Sequence, residues 1–367
     1  MSKTNGIFIA ATGQHVGKST TCLGIMAGLR KRFDRVGFVK PVGQQHVEVE
    51  NGLHVDKDVE LMHEFFHLDD HYADMSPVLL PRGFTKRFLA GEIAEDELAR
   101  CINRAYQRIS SKNQFTVVEG TGHVGVGSIV GFSNAQVAAQ LGLDLVIVAS
   151  GGLGSAIDEL ALNLAMCNEC GVNLKGVILN KVIPEKRKMI LENFPKALAR
   201  WNLPLLGCIP YNDQLSTPSM GDFEHLFKTK LIAGEQHRYK HFSRRRMVAS
   251  GVDNYQKAIR PNQIIMTPAT RDDIILATLE KHWQHKLQTG RDFGGAMILT
   301  GRRNPRATII EHIKKVNIPV LHARMRNYDA MHMISTFTAK IRKDDVQKVQ
   351  KAINVVEAHV NFDALIA

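Results

Sequence analysis

The sequence has 367 residues, 44% of them hydrophobic and 23% charged, with a formal net charge of +11. This length holds two domains, each with its own core, in a composition typical of soluble globular proteins, and no apolar run reaches bilayer-spanning length. The excess of positive charge favours anionic partners, while five thinly scattered cysteines, an odd number, argue against a disulfide framework.

Met1-Ser2-Lys3-Thr4-Asn5 leads straight into the first apolar run without a signal peptide, so the expected compartment is the cytoplasm. Residues 7–11 are apolar. They are followed by Thr12-Gly13-Gln14-His15-Val16-Gly17-Lys18-Ser19-Thr20 and then by Cys22, Ile25, Met26 and Leu29 at helical spacing. The pattern reads as strand, loop, helix. A loop wrapped around a helix start meets unpaired N–H groups and a positive dipole end, so it can hold phosphates. Lys18 would reach the β- and γ-phosphates, and the Ser19 hydroxyl would take a Mg2+ position. The regular form of such a loop has its first glycine where this chain has Thr12, and Gly13 follows at once.

Residues 35–43 read as a strand closed by Lys40-Pro41. Lys40 then stands at the edge where open parallel sheets bind ligands, the alternative being a solvated strand-end lysine. Val55-Asp56-Lys57-Asp58 opens a helical pattern whose two aspartates can cap the helix or supply hard oxygen ligands to Mg2+. Residues 63–85 read as an irregular lid or substrate-side loop. Within them His63, His67 and His71 fall at helical spacing, and solvated histidines are preferred over a metal face.

Within residues 115–123 a buried strand delivers Glu119 at its C-terminal end, and Gly120, Gly122, Gly125 and Gly127 follow it. Glu119 is placed as a further Mg2+ ligand, in the manner of a Walker B acid. Residues 144–150 are a third such strand, followed by Gly151, Gly152 and Gly154. A helix over 156–167 ends at Cys167-Asn168-Glu169-Cys170, a spacing without a second pair to make it a metal site. Residues 174–181 are a strand ending near Asn180, whose amide can read a base edge or simply form a turn. A last strand over 205–211 brings the first domain to a close near Asp222.

Alternating strands and helices from 7 to 210 predict an α/β fold with a parallel sheet covered on both faces. A second, smaller α/β domain is expected over 223–367. Its strands are 263–266, 296–300 and 318–321, and its helices 272–285, 306–316 and 344–359. It opens on a basic stretch, 238–246, read as a solvated edge or linker. Aromatic residues are sparse and nucleic acid is not the expected partner.

Taken together, Ala11-Thr12-Gly13-Gln14-His15-Val16-Gly17-Lys18-Ser19, Gly37-Phe38-Val39-Lys40-Pro41-Val42, Val117-Val118-Glu119-Gly120, Ile178-Leu179-Asn180 and Leu206-Gly207-Cys208-Ile209-Pro210 resemble dethiobiotin synthetase, a Mg2+- and ATP-dependent cyclo-ligase of the P-loop superfamily. The resemblance covers about residues 1–222. It implies that nucleotide is held by the loop from Thr12 to Thr20, that Lys18 and Lys40 serve the transferring phosphate, and that Ser19, Asp58 and Glu119 hold Mg2+. Asn180 would lie toward the adenine. Gly13-Gln14-His15 departs from the family's acidic, threonine-rich loop, and Gly43-Gln44-Gln45 follows its lysine motif.

Over nearly all 367 residues the chain resembles the N-terminal regulatory region of long phosphotransacetylases, where such a P-loop domain precedes a DRTGG domain. Met266-Thr267-Pro268-Ala269-Thr270-Arg271-Asp272-Asp273 and Met297-Ile298-Leu299-Thr300-Gly301 carry that second likeness, and no acetyltransferase domain is recognised. The resemblance implies a Mg2+-dependent ATP-binding protein with a regulatory, nucleotide-sensing role. The alternative is a ligase acting on a small carboxylate or carbamate. Expected partners are a nucleotide, a small acidic metabolite or a metabolic enzyme, and further copies of the chain in a homo-oligomer; no membrane is expected.

Overall fold

A computed structural model describes residues 5–242 and 244–367. Residues 1–4, on which the expected compartment partly rests, and Ser243 of the basic stretch lie outside the described residues. The chain forms two compact units, Met1–Asn212 with Ile341–Ala367, and Asp213–Lys340.

The first unit is built on a six-stranded sheet. Its strands are β1 (Gly6–Ala11), β2 (Val36–Val39), β7 (Phe115–His123), β8 (Asp144–Ser150), β9 (Leu174–Val182) and β10 (Leu205–Pro210), in the order β10-β9-β8-β1-β7-β2. Four short strands between β2 and β7 make two separate pairs: β3 (Val42–Gly43) with β6 (Val78–Leu79), and β4 (His46–Glu48) with β5 (His54–Asp56). All neighbours in the main sheet run parallel. Ile7, Phe8 and Ile9 of β1 and Leu145, Val146, Ile147 and Val148 of β8 are buried. Such continuous apolar runs suit strands covered on both faces. This is the predicted α/β, P-loop-type architecture.

Because the strands are parallel, β1, β2, β7 and β9 present their C-terminal ends along one edge. The pairing Val39↔Val118 then sets Lys40 beside Glu119. A break in register between Ile9 and Ala11 lets β7 bulge after Glu119, where Gly120 begins the glycine-rich turn.

Residues 63–85 hold more regular structure than the expected loop. Helix α2 (Lys57–Phe66) extends into them, and a short helix, Tyr72–Met75, precedes β6. The longer helix Glu95–Ser110 follows, with Ile102, Ala105, Tyr106 and Ile109 buried on one stripe.

The last 27 residues, Ile341–Ala367, belong to the first unit, whereas the sequence placed helix 344–359 in the second. The reason is packing. Helix Val346–Glu357 buries Val349, Ala352, Ile353 and Val356, a helical stripe, against α1 (Lys18–Arg30). Gly24 and Gly28 of α1 make room, since a Cβ at Gly24 would run into Val356 and one at Gly28 into the Phe362 ring. Arg32 covers that ring at 4.5 Å, and Lys31 pairs with Glu357 at 2.7 Å. Beyond the helix the chain joins β10, with hydrogen bonds from Cys208 N to His359 O (3.1 Å) and Asn361 N to Leu206 O (2.8 Å).

The second unit is a smaller α/β layer with strands β11 (Leu231–Ala233), β12 (Arg244–Met247), β13 (Gln263–Pro268), β14 (Ala296–Thr300) and β15 (Val320–Ala323), in the order β11-β15-β14-β13-β12. Only β11 is antiparallel to its neighbour. One face packs Ile265, Met297 and Leu299 against Ile274 and Ile275. The other packs Ile264, Met266 and Ile298 against Phe223 and Ile334. The basic stretch contributes the edge strand β12. Among the described residues, no helix is long and apolar enough to cross a membrane.

Candidate nucleotide site at the strand ends

Between β1 and α1 the chain curls through two left-handed residues, His15 (φ 59°) and Gly17 (φ 97°). Gly17 is the N-cap of α1; the first turn has neither a side-chain cap nor an acidic residue. A methyl at Gly17 would strike the Asn180 amide as well as strain the backbone. Loops of this shape ahead of an uncapped helix turn N–H groups toward an anion.

The loop is held from three sides. Thr12 is 8% exposed, its N–H donates to Val148 O (3.0 Å), and its hydroxyl donates to Glu159 (3.0 Å). Asn180 Nδ2 donates to Val16 O at 2.9 Å, and its Oδ1 accepts from Lys181 N. Lys181 Nζ donates to His15 O at 2.5 Å. Asn180 thus braces the loop from β9. Gly13 is half-buried, Gln14 and His15 are exposed, Val16 is buried, and Thr20 sits half-buried in the first turn of α1.

Below the loop, two lysines and three carboxylates converge. Lys18 Nζ donates to Glu119 Oε1 (3.3 Å) and to Gly120 O. The Ser19 hydroxyl lies 2.8 Å from Glu119 Oε1 and 3.0 Å from Asp58 Oδ2. Lys40, 5% exposed, donates to Asp58 and lies 3.0 Å from Asp56 and 3.8 Å from Glu119. It is therefore a buried group at a strand end, and the solvated alternative fails. The two aspartates divide the readings weighed for them. Asp56 is the N-cap of α2, accepting from Asp58 N (3.0 Å) and from Gln44 N (3.1 Å). Asp58 is aimed at Ser19.

Burial opposes the Lys40 charge, yet Asp58, then Glu119 and Asp56, outweigh it and hold the lysine far above its ordinary pKa. Burial also works against ionised Asp58, and there the Lys40 charge and hydrogen bond win, holding the carboxyl well below the usual range. Glu119 goes the other way. Burial first, and the Asp58 charge second, raise its pKa. Its Oε2 is buried and has no hydrogen-bond partner among the described residues.

That unpaired oxygen, with Asp58 and the Ser19 hydroxyl beside it, is a hard donor set of the kind Mg2+ takes. The ion commonly uses one or two carboxylates and completes its shell with phosphates and water. Among the described residues, no group of three or more His, Cys, Asp or Glu forms a metal cluster by itself. His63 stacks on Tyr72 (3.9 Å), and His71 accepts from Ala73 N as a helix cap. The Cys167 thiol is pushed up to about 12 by burial and by Cys170, the reverse of an activated thiol.

Because the fold raises the pKa of Glu119, its ionised form costs stability above the ordinary glutamate range. Glu119→Gln is therefore expected to melt at or above the wild-type temperature at pH 7 in the absence of ligand. Thermal unfolding checks this, and a lower melting temperature would refute it.

Three residues at this edge escaped the sequence reading. Asn134, 4% exposed, clamps the turn after β7 by accepting from Thr121 N (3.0 Å) and donating to Thr121 O (2.9 Å) and His123 O (2.6 Å). Asn163 Nδ2 lies 3.4 Å from Thr12 O, and its Oδ1 accepts from Val124 N at 3.2 Å. Glu159 holds Thr12. All three sit within helical patterns, where a polar side chain ordinarily faces water, so nothing in their spacing marks them.

A family profile described as an AAA domain, AAA_26, matches residues 5–219, and another, the DRTGG domain, matches 224–337. The chain belongs to the AAA_26 family. It carries a dethiobiotin-synthetase-like P-loop region followed by a DRTGG domain. A phosphate acetyltransferase of Nitratidesulfovibrio vulgaris is 25% identical over 372 residues, covering 99% of this chain and 51% of that protein. This AAA_26 chain spans about half the length of the first such relatives. The ATP-dependent dethiobiotin synthetase BioD of Methanocaldococcus jannaschii is 26% identical over 233 residues, covering 60% of this chain and 100% of that one. Among solved structures, a MinC:MinD cell division protein complex of Aquifex aeolicus aligns with a TM-score of 0.37 and 17% identity, covering 57% of this chain and 83% of that one.

Proposed function

We propose that this chain binds ATP with Mg2+ at the strand ends and serves as a nucleotide sensor. The observation that carries this reading is the unpartnered Oε2 of buried Glu119, set beside Ser19 and Asp58 under an uncapped helix start. Ser19, Asp58 and Glu119 would hold Mg2+, which would neutralise phosphate charge when bound. Lys18 and Lys40 are the donors to the phosphates. In the ligand-free protein each is already matched to carboxylates, Lys18 to Glu119 and Lys40 to Asp56, Asp58 and Glu119. Binding therefore exchanges internal ion pairs for phosphate contacts. A site that must rearrange its own charges to take a ligand is suited to reporting occupancy. In this reading the chain acts on a metabolic enzyme as a homo-oligomer in the cytoplasm; what supports it is the alignment of nearly the whole chain with about half of proteins named phosphate acetyltransferase.

The competing reading is a ligase on a small carboxylate, supported by the dethiobiotin synthetase relative that this chain covers from end to end. Calorimetric titration of Mg2+ and ATP, followed by phosphate release with and without candidate carboxylic acids, separates the two. The sensor predicts saturable binding, weakened about tenfold or more by Lys18→Ala, and release that no acid stimulates. Acid-dependent release would make the protein a ligase, and absence of binding by the wild type would overturn both readings.

A further inference from the structure

The second unit has its own strand-end edge, and it is crowded with arginine. Thr300 of β14 is in register with Pro268 of β13 and with Ala323 of β15, so the segments after these three strands emerge side by side. Cross-links bind them together: Ala269 N to Thr300 O at 2.8 Å, Gly301 N to Met325 O at 2.7 Å, and His322 Nε2 to Gly301 O at 2.8 Å. From this edge project Arg302, Arg303 and Arg306 after β14, and Arg324 and Arg326 after β15, all exposed.

Two of the five are engaged. Arg306 pairs with Asp272 at 3.0 Å, and Arg324 donates to Asn304 at 3.3 Å. The guanidinium groups of Arg302, Arg303 and Arg326 have no carboxylate or hydrogen-bond partner among the described residues. Several unpaired guanidinium groups on one rim repel one another, and an anion relieves that repulsion. The centre of the rim is built for close approach. Gly301 adopts φ +104°, and no atom lies within 4 Å of where its Cβ would stand. Thr267, 0% exposed near the end of β13, has a hydroxyl without a partner among the described residues. The adjoining helix Ala307–Val316 starts without a side-chain cap or an acidic residue in its first turn.

We propose that this edge binds a small molecule bearing a polyphosphate group, with Arg302, Arg303 and Arg326 as its phosphate contacts. Arginine forks match phosphate oxygens in pairs, which favours a ligand with several adjacent phosphate groups over a single carboxylate. Asp272 pairs with Arg306 and Asp273 with Arg271, so carboxylates stand among the arginines of this edge. This site is separate from the one at Lys18, and its test does not depend on that reading.

The test uses the full chain and inorganic tripolyphosphate, which has no base to recognise, followed by calorimetry. The comparison is between wild type, Lys18→Ala, the triple variant Arg302→Ala/Arg303→Ala/Arg326→Ala, and Arg245→Ala as an exposed-arginine control, the last two each made on the Lys18→Ala background so that phosphate held at the loop does not mask the rim. Tripolyphosphate binding is expected to survive Lys18→Ala and Arg245→Ala and to weaken about tenfold or more in the triple variant, whose melting temperature should match that of Lys18→Ala. Arg302→Lys/Arg303→Lys/Arg326→Lys keeps the charge without the fork, so it should fall between the two. Loss on Lys18→Ala with no further change in the triple variant would overturn the proposal. So would a triple variant that loses salt-dependent retention on duplex DNA while keeping tripolyphosphate, which would assign the rim to nucleic acid.

Discussion

Lys40→Met is expected to destabilise the ligand-free protein by about 3–5 kcal/mol at pH 7, the usual cost of removing one partner from a buried ion pair. Methionine keeps most of the volume, so the loss reports charge rather than a cavity. Lys40 is 5% exposed and faces Asp56 at 3.0 Å, Asp58 in direct contact and Glu119 at 3.8 Å. Without it, buried Asp56 and Glu119 and part-buried Asp58 lose the cation they share. The pH dependence follows from the directions of the shifts. Asp58 is held below its ordinary pKa in the fold, so its contribution is present above the unfolded aspartate value and is lost as pH falls. The Lys40 contribution, from a raised pKa, is complete below the unfolded lysine value and disappears only at strongly alkaline pH. The gap between wild type and variant should therefore hold across neutral pH and narrow below about pH 4. Denaturant unfolding at several pH values measures it, and equal stability at pH 7 would show that the lysine charge is dispensable.

Gly24→Ala is expected to cost about 1–3 kcal/mol, as overpacking a well-filled core does. An alanine in mid-helix would ordinarily stabilise by up to about 1 kcal/mol, so the predicted sign is the opposite of what propensity gives. Here a methyl would meet the Val356 Cβ and both γ-methyls, atoms tied closely to the backbone of helix Val346–Glu357. Adding Val356→Ala should recover part of the loss, because the two changes are not independent. A destabilised single variant with no recovery in the double variant would show that the cost lies elsewhere in α1.

The parallel sheet was legible because its strands are buried on both faces and read as uninterrupted apolar runs. The loop ahead of α1 was legible because Gly17, Lys18 and Ser19 stand in sequence between an apolar run and a helical pattern. The neighbourhood of Lys40 and Glu119 was reachable only as an inference about sheet edges; the register Val39↔Val118 that creates it is a long-range fact. Asn180 shows the limit most clearly. Its position at a strand end was readable, but a hydrogen bond to Val16 across 164 positions was not. Helix Glu95–Ser110 is a different case, since Glu95, Asp96 and Glu97 ahead of a buried stripe are a standard helix signal carried by the sequence itself. Helix Val346–Glu357 was assigned by proximity along the chain, the only guide when the partner surface, Gly24 and Gly28, lies more than three hundred residues away.

That helix has a consequence for how the protein is made. Domains generally fold in the order in which they emerge during synthesis. Here the first unit cannot cover the Gly24 and Gly28 face of α1 until residues 341–367 have emerged, after the whole of 213–340. The second unit is thus free to reach its native form on the ribosome while the first, begun earlier, still waits for its closing helices.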